Sequence, residues 1–139
     1  MEVREVLEII GPFVKDVKAD KNHIFAISSV QDLRNVFKLL SEKGIVHVSD
    51  ITGVDLGDSV AVIYRLDCRP SFLNLKIFLP KNDLRIRTIT DIFPGASLYE
   101  RDLMEMFGIK IEAHPDPRKL FLPDDWPEGV YPLRKEVKQ

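Results

Sequence analysis

At 139 residues and 16.0 kDa the chain has room for one domain with a proper core and little beyond it. Its 20 Lys and Arg against 22 Asp and Glu leave a formal charge of -2, too balanced for the broad basic field of a general nucleic-acid binder. The single cysteine, Cys68, excludes an internal disulfide, a cysteine-held iron–sulfur cluster and a thiolate zinc site.

Val3, Val6, Leu7 and Ile10 recur at helical spacing, and Gly11-Pro12 closes that first helix. Phe13–Ala19 and His23–Ile27 are β-rich runs around the turn-forming Asp20-Lys21-Asn22, so they read as a hairpin. Ser28 with Gln31 has the capping-box spacing and opens a helix carrying Leu33, Val36, Phe37 and Leu40 on one face, stopped by Gly44. Ile45–Val54 is apolar on both sides around His47, which predicts a central strand with His47 in the core. Val60, Val62, Tyr64, Leu66 and Cys68 then alternate with polar residues, as do Leu73, Leu75, Ile77 and Leu79. Cys68 is thereby an inert core thiol. The order α-β-β-α-β-β-β defines an α+β protein, a two-layer α/β sandwich on a mixed sheet with helices on one face.

Beyond Pro80 the pattern changes. Thr88 with Asp91 and Ser97 with Glu100 are capping-box pairs, predicting short helices around 89–93 and 98–107, the second ended by Gly108. Five of the nine prolines (Pro115, Pro117, Pro123, Pro127, Pro132) follow Glu112, and proline cannot sit inside a regular helix or a central strand. Leu120, Phe121, Trp126, Tyr131 and Leu133 are interleaved with them, which fits an extended arm with apolar anchors. The chain therefore divides into a compact body, residues 1–111, and a partner-docking arm, residues 112–139.

Candidate chemistry is sparse. His23, His47 and His114 are far apart in sequence and make no metal-ligand spacing, and Gly53-Val54-Asp55-Leu56-Gly57 is a hairpin turn rather than a phosphate loop. His114-Pro115-Asp116 sets an imidazole beside a carboxylate. Arg101 and Glu105 lie one helical turn apart and can pair, next to Asp102, while the capping box would use Glu100 fully. That helix is apolar on nearly every side, through Leu103, Met104, Met106 and Phe107, so something must cover it. The acidic start has no signal-peptide pattern, and no apolar run approaches the ~20 residues that cross a bilayer. Few amides among many charges lean toward a thermophile.

One signature runs through these residues: Tyr99-Glu100-Arg101-Asp102-Leu103-Met104-Glu105-Met106-Phe107-Gly108-Ile109, then His114-Pro115-Asp116, Arg118 and Leu120, then Pro132-Leu133-Arg134-Lys135. It resembles the thirty-kilodalton subunit of respiratory complex I, the NADH:quinone oxidoreductase, and the homologous subunit of membrane-bound, energy-converting NiFe hydrogenases. The match departs from the family at Asp102 and Glu105, where the usual acids are exchanged, at Ala113, where glycine is common, and at Pro117, often Leu. The absence of the longer tail of complex I subunits points toward a hydrogenase-type complex.

The resemblance implies a cofactor-free subunit with no activity alone. It would dock on a large NiFe-hydrogenase-like subunit (the forty-nine-kilodalton type of complex I), near a small iron–sulfur subunit. It would lie on the cytoplasmic side of a membrane that it touches only through the complex, and bind no nucleic acid. By the same resemblance Glu100, Arg101, Asp102, Glu105, His114, Asp116, Arg118 and Arg134 make intersubunit or arm-fixing contacts, with Phe121 and Trp126 as apolar anchors. Two other classes remain open on the residues alone: a small acid–base enzyme using His114, Asp116 and Glu105, and a free-standing peptide-docking domain.

Overall fold

The computed structural model describes residues 1–116, 122, 125–127 and 129–135. Helix α1 (Val3–Ile10) buries Val6 and Ile10, and a 3-10 turn at Gly11–Phe13 leads into strand β1 (Val14–Asp20). β1 turns at Lys21 into β2 (His23–Ser28), with a bulge at Asp16, whose φ is 52°. Helix α2 (Val30–Glu42) is capped by Ser29, whose Oγ accepts from Asp32 N at 3.1 Å. The cap therefore sits one residue beyond the Ser28–Gln31 pair; Ser28 ends β2 instead.

β3 (Val48–Asp55), β4 (Ser59–Cys68) and β5 (Ser71–Pro80) complete a five-stranded sheet in the order β1-β2-β5-β4-β3. Only β2 and β5 run parallel, so the sheet is mixed. β3 is thus an edge strand, and His47 lies exposed just before it rather than in a central core position. Alternation identifies the strands correctly but carries no information on strand order.

The alternating residues of β4 and β5 are buried as their pattern requires, Tyr64, Leu66, Leu73, Leu75 and Ile77 being at most 1% exposed. Phe37 of α2 meets Tyr64 and Phe93 edge-on, with ring centroids 5.2 and 5.5 Å apart. All helices lie on this side of the sheet; among the described residues none covers the other face.

After β5 come β6 (Arg85–Arg87), α3 (Ser97–Phe107) and β7 (Lys110–Glu112), with β6 and β7 paired in parallel as a small second sheet that periodicity does not reveal. The helix expected at 89–93 is a turn in which Ile92 N and Phe93 N both bond Ile89 O. Ser97 is the first residue of α3 rather than its cap: Ala96 precedes the helix and no side chain caps it. Gly108, at φ 72°, ends α3, and Phe107 reaches Gly53 of β3, where any Cβ would lie 2.7 Å from the ring. The described part of the arm lies on this corner: Leu133 N bonds Met106 O, Arg134 Nη1 bonds Phe107 O, and the Tyr131 ring sits against Gly108.

Candidate functional site

Ile89 and Thr88 enter the core directly after β6, and α3 crosses beneath them with Glu100 pointing inward. Glu100 is fully buried. Its Oε1 accepts from Thr88 Oγ1 at 2.5 Å and its Oε2 from Ile89 N at 3.0 Å. The capping-box role is therefore vacant, because this carboxyl serves the 88–89 segment instead. Burial drives its pKa above the ordinary glutamate value, partly offset by Thr88, Ile89 and His114. Tyr64, whose hydroxyl has no hydrogen-bond partner among the described residues, is also pushed up, by burial and then by the charge of Glu100.

His114 packs beside it, its side chain 1% exposed and its Nε2 3.8 Å from Glu100 Oε1. Nδ1 accepts from Asp116 N at 3.0 Å, so the ring proton lies on Nε2, which donates to Ser97 O at 3.1 Å. Both ring nitrogens are used by the backbone, which ties residues 114–116 to the start of α3. The Asp116 carboxylate in turn lies 3.6 Å from the Arg101 guanidinium, itself 10% exposed. His-Pro-Asp and Glu-Arg are thus one knot, not two sites.

Arg34 of α2 closes the ring from the other side. Its guanidinium grips Asp91 through two bonds, 3.0 and 2.5 Å, and donates to Thr88 O at 2.6 Å. The Asp91 partnership raises Arg34 and lowers Asp91 from their ordinary values. Arg34 leaves no mark in the sequence because its distance from Asp91 along the chain hides the pair, and Thr88 and Asp91 carry the signal of a helix cap.

A second knot holds the arm. Asp55, 5% exposed at the end of β3, accepts from Gly57 N at 2.8 Å, Lys81 Nζ at 2.9 Å and Lys135 N at 2.7 Å. Burial acts to raise this carboxyl, but the Lys135 amide, then Lys81 and Gly57, bring it down to about 2. Asp55 is legible in the sequence only as a turn residue, through the Asp-x-Gly spacing. Arg134 stacks on Tyr131, 5.4 Å from the ring centroid, and Trp126 Nε1 donates to Val130 O at 2.8 Å.

Asp102 is half-buried and raised by burial and by the nearby Glu105 charge, while Glu105 is itself buried. Arg118 and Phe121 lie outside the described residues. Among the described residues no group of three or more His, Cys, Asp or Glu side chains is arranged to hold a metal ion. None of their helices is long and apolar enough to cross a membrane.

The mixed sheet with its buried Glu-Arg…His-Pro-Asp knot defines an α+β module whose signature charges bind one part of the chain to another. The chain belongs to the family of the respiratory-chain NADH dehydrogenase 30 kDa subunit, whose sequence profile matches residues 27–139. It is 33% identical over 148 residues to the NADH-quinone oxidoreductase C subunit of Chloroherpeton thalassium, across 99% of this chain and 60% of that protein. It is 34% identical over 131 residues to the membrane-bound hydrogenase beta subunit of Pyrococcus furiosus, across 90% and 76% of the two. The chain thus spans less than two thirds of the Chloroherpeton relative's length and about three quarters of the Pyrococcus one's. In fold it is similar to a chain of the membrane-bound sulfane sulfur reductase, an archaeal respiratory membrane complex, with a TM-score of 0.85 and 24% identity over 98% of this chain and 83% of that one.

Proposed function

We propose that this chain is a cofactor-free assembly subunit of a membrane-attached, ion-translocating oxidoreductase of the complex I or energy-converting hydrogenase kind. It docks on the large NiFe-hydrogenase-like subunit, beside the small iron–sulfur subunit, on the cytoplasmic side of the membrane. The family membership carries this reading, since the related proteins bear the names of NADH-quinone oxidoreductase and membrane-bound hydrogenase subunits.

On this reading the chain divides its labour between a body, residues 1–111, and an arm from 112 onward. Glu100, Arg101, His114 and Asp116 set the arm's departure, and Asp55 with Arg134 fixes its return. Asp102, Glu105, Arg118, Phe121 and Trp126 serve the partner. The exposed Leu98 of α3 and Leu133 of the arm, 56% and 54% accessible, present apolar surface on the same parts of the chain. An acid–base enzyme built on His114, Asp116 and Glu105 is disfavoured by one observation: neither imidazole nitrogen is left for a substrate.

The test is affinity purification of the tagged full chain from its native membranes, with mass spectrometry of what accompanies it. The expected companion is a large hydrogenase-type subunit; retention of its two CxxC pairs marks a hydrogenase and their loss a quinone-type or related reductase. Recovery of the chain alone, with turnover of its own, would overturn the proposal.

A further inference from the structure

The helices cover one face of the five-stranded sheet, and the other face has its own pattern. The registers align Lys18, Phe25, Asn74, Arg65 and Asp50 in one row across all five strands, and Lys15, Ile27, Lys76, Ile63 and Thr52 in the next. A third row joins Phe78, Ala61 and Val54. Phe25 and Phe78 are 46% and 41% exposed, and the ring of His23 stacks on Phe25 and Phe72.

Asp20, His23, Phe72 and Asp67 form a further row at one end of this face, where Arg69 holds Asp67 at 2.8 Å, and the unpaired lysines lie in the two middle rows. Arg65 and Asp50 pair at 2.9 Å, whereas Lys15, Lys18 and Lys76 have no ion-pair partner among the described residues. A depression of about 620 Å³ opens between the β1 bulge and the middle strands, with Val17, Phe25 and Ile63 on its walls and Lys18, Arg65 and Lys76 around them. Asp16, in the bulge, is the one carboxylate among its described lining residues. The unpaired lysines thus gather around the depression, Lys76 with its Nζ 5.8 Å from the Phe78 ring centroid, while Asp20 and Asp67 lie in the end row.

We propose that this open sheet face is a second docking surface, for a protein partner whose contact region is acidic around a projecting apolar side chain. The lysines supply complementarity and the depression receives the projection. Five strands ~4.8 Å apart, at ~3.3 Å per residue, offer roughly 650 Å², below the ~800 Å² per partner of a standard interface but of the same order. A two-fold contact centred on the depression sets the lysines of one copy against those of the other, which disfavours a second copy there. A flat lipid surface leaves the concave floor with Asn74 and Arg65 unfilled.

The surface is separate from the α3-and-arm side assigned above, and one experiment reports on both. Hydroxyl-radical footprinting is run on the isolated full chain and on the complex in native membranes, with carbodiimide joining of lysines to carboxylates. Expected are a loss of labelling of about fivefold or more at Phe25, Phe72 and Phe78 on assembly, and links from Lys15, Lys18 or Lys76 to an Asp or Glu of another polypeptide. The triple variant K15E/K18E/K76E keeps the wild-type melting temperature, yet its retention in the membrane complex falls about tenfold or more, and K15R/K18R/K76R restores it.

Protection of Trp126 and Tyr131 with the sheet phenylalanines still labelled overturns this proposal alone; labelling of both sides in the membrane fraction overturns the assembly reading as well. Binding to phosphatidylglycerol vesicles that the triple variant abolishes, or a concentration-dependent dimer that it dissolves, assigns the face to lipid or to a second copy and also overturns it.

Discussion

Replacing Glu100 separates the shape of its side chain from its charge. Glu100→Ala removes the acceptor of the buried Ile89 N–H, which costs about 1–3 kcal/mol when left unpaired. The space vacated by the carboxyl adds ~1–2 kcal/mol. Thr88 contributes little, because its hydroxyl already has Thr90 Oγ1 at 2.8 Å as an alternative partner. Removing a desolvated carboxyl gives some of this back, so the net loss is about 2–4 kcal/mol. Glu100→Gln keeps the volume, turns its oxygen to Ile89 N and its amide to Thr88 Oγ1, and stays within ~1 kcal/mol of wild type.

The two variants also differ in pH response. Because the folded pKa of Glu100 lies above its ordinary 4.5, the native state keeps a proton that the unfolded chain has released. Its contribution is fully present below 4.5 and is lost as pH rises through the folded value, a loss that Glu100→Gln cannot show. Urea unfolding of the three proteins across the range from 4.5 upward reads both effects. A Gln variant as damaged as the Ala variant, with a wild-type minus Gln difference that does not change with pH, would refute a buried, raised carboxyl at this position.

Three further outcomes follow from the same structure. Ala113 holds φ 61°, a left-handed conformation that strains any residue with a Cβ, so Ala113→Gly raises stability by about 0.5–1 kcal/mol in chemical denaturation, and a loss would contradict the strain. Asp55→Asn sets an amide against Lys135 N and Lys81, so amide exchange at Leu133 and Lys135 accelerates about tenfold or more with little change in the core. The wild-type Asp55 contribution, present above its ordinary 3.8, disappears as pH falls through about 2. Cys68, fully buried with its thiol pushed up to about 11 by burial, reacts with a disulfide reagent only as the chain unfolds; rapid labelling of the native protein would place it elsewhere.

What the sequence makes legible follows from the size of each signal. α2, β4 and β5 are long enough for periodicity to name both the element and its buried face. β6 and β7 contribute one buried residue each, Ile86 and Ile111, and three residues are too few for alternation to show. His47 falls outside the core it is expected in because an apolar strand flanked by loops looks the same at the edge of a sheet as at its centre, and only pairing decides. At the site, the motif locates Glu100, Arg101, His114 and Asp116 together, but a capping-box spacing cannot tell whether the glutamate turns back to its own helix or inward to Thr88 and Ile89. Arg34 and Asp55 act across long sequence separations, where only the fold brings the partners together.

The central claim is that α3 and the arm present this chain to a larger redox subunit. Its most direct test is a photo-crosslinking residue introduced at Leu133, exposed on the arm beside Arg134, and activated in native membranes. The predicted result is one dominant adduct, whose partner peptide belongs to a large hydrogenase-type subunit. An adduct confined to the chain itself, in membranes where the complex is intact, would contradict it.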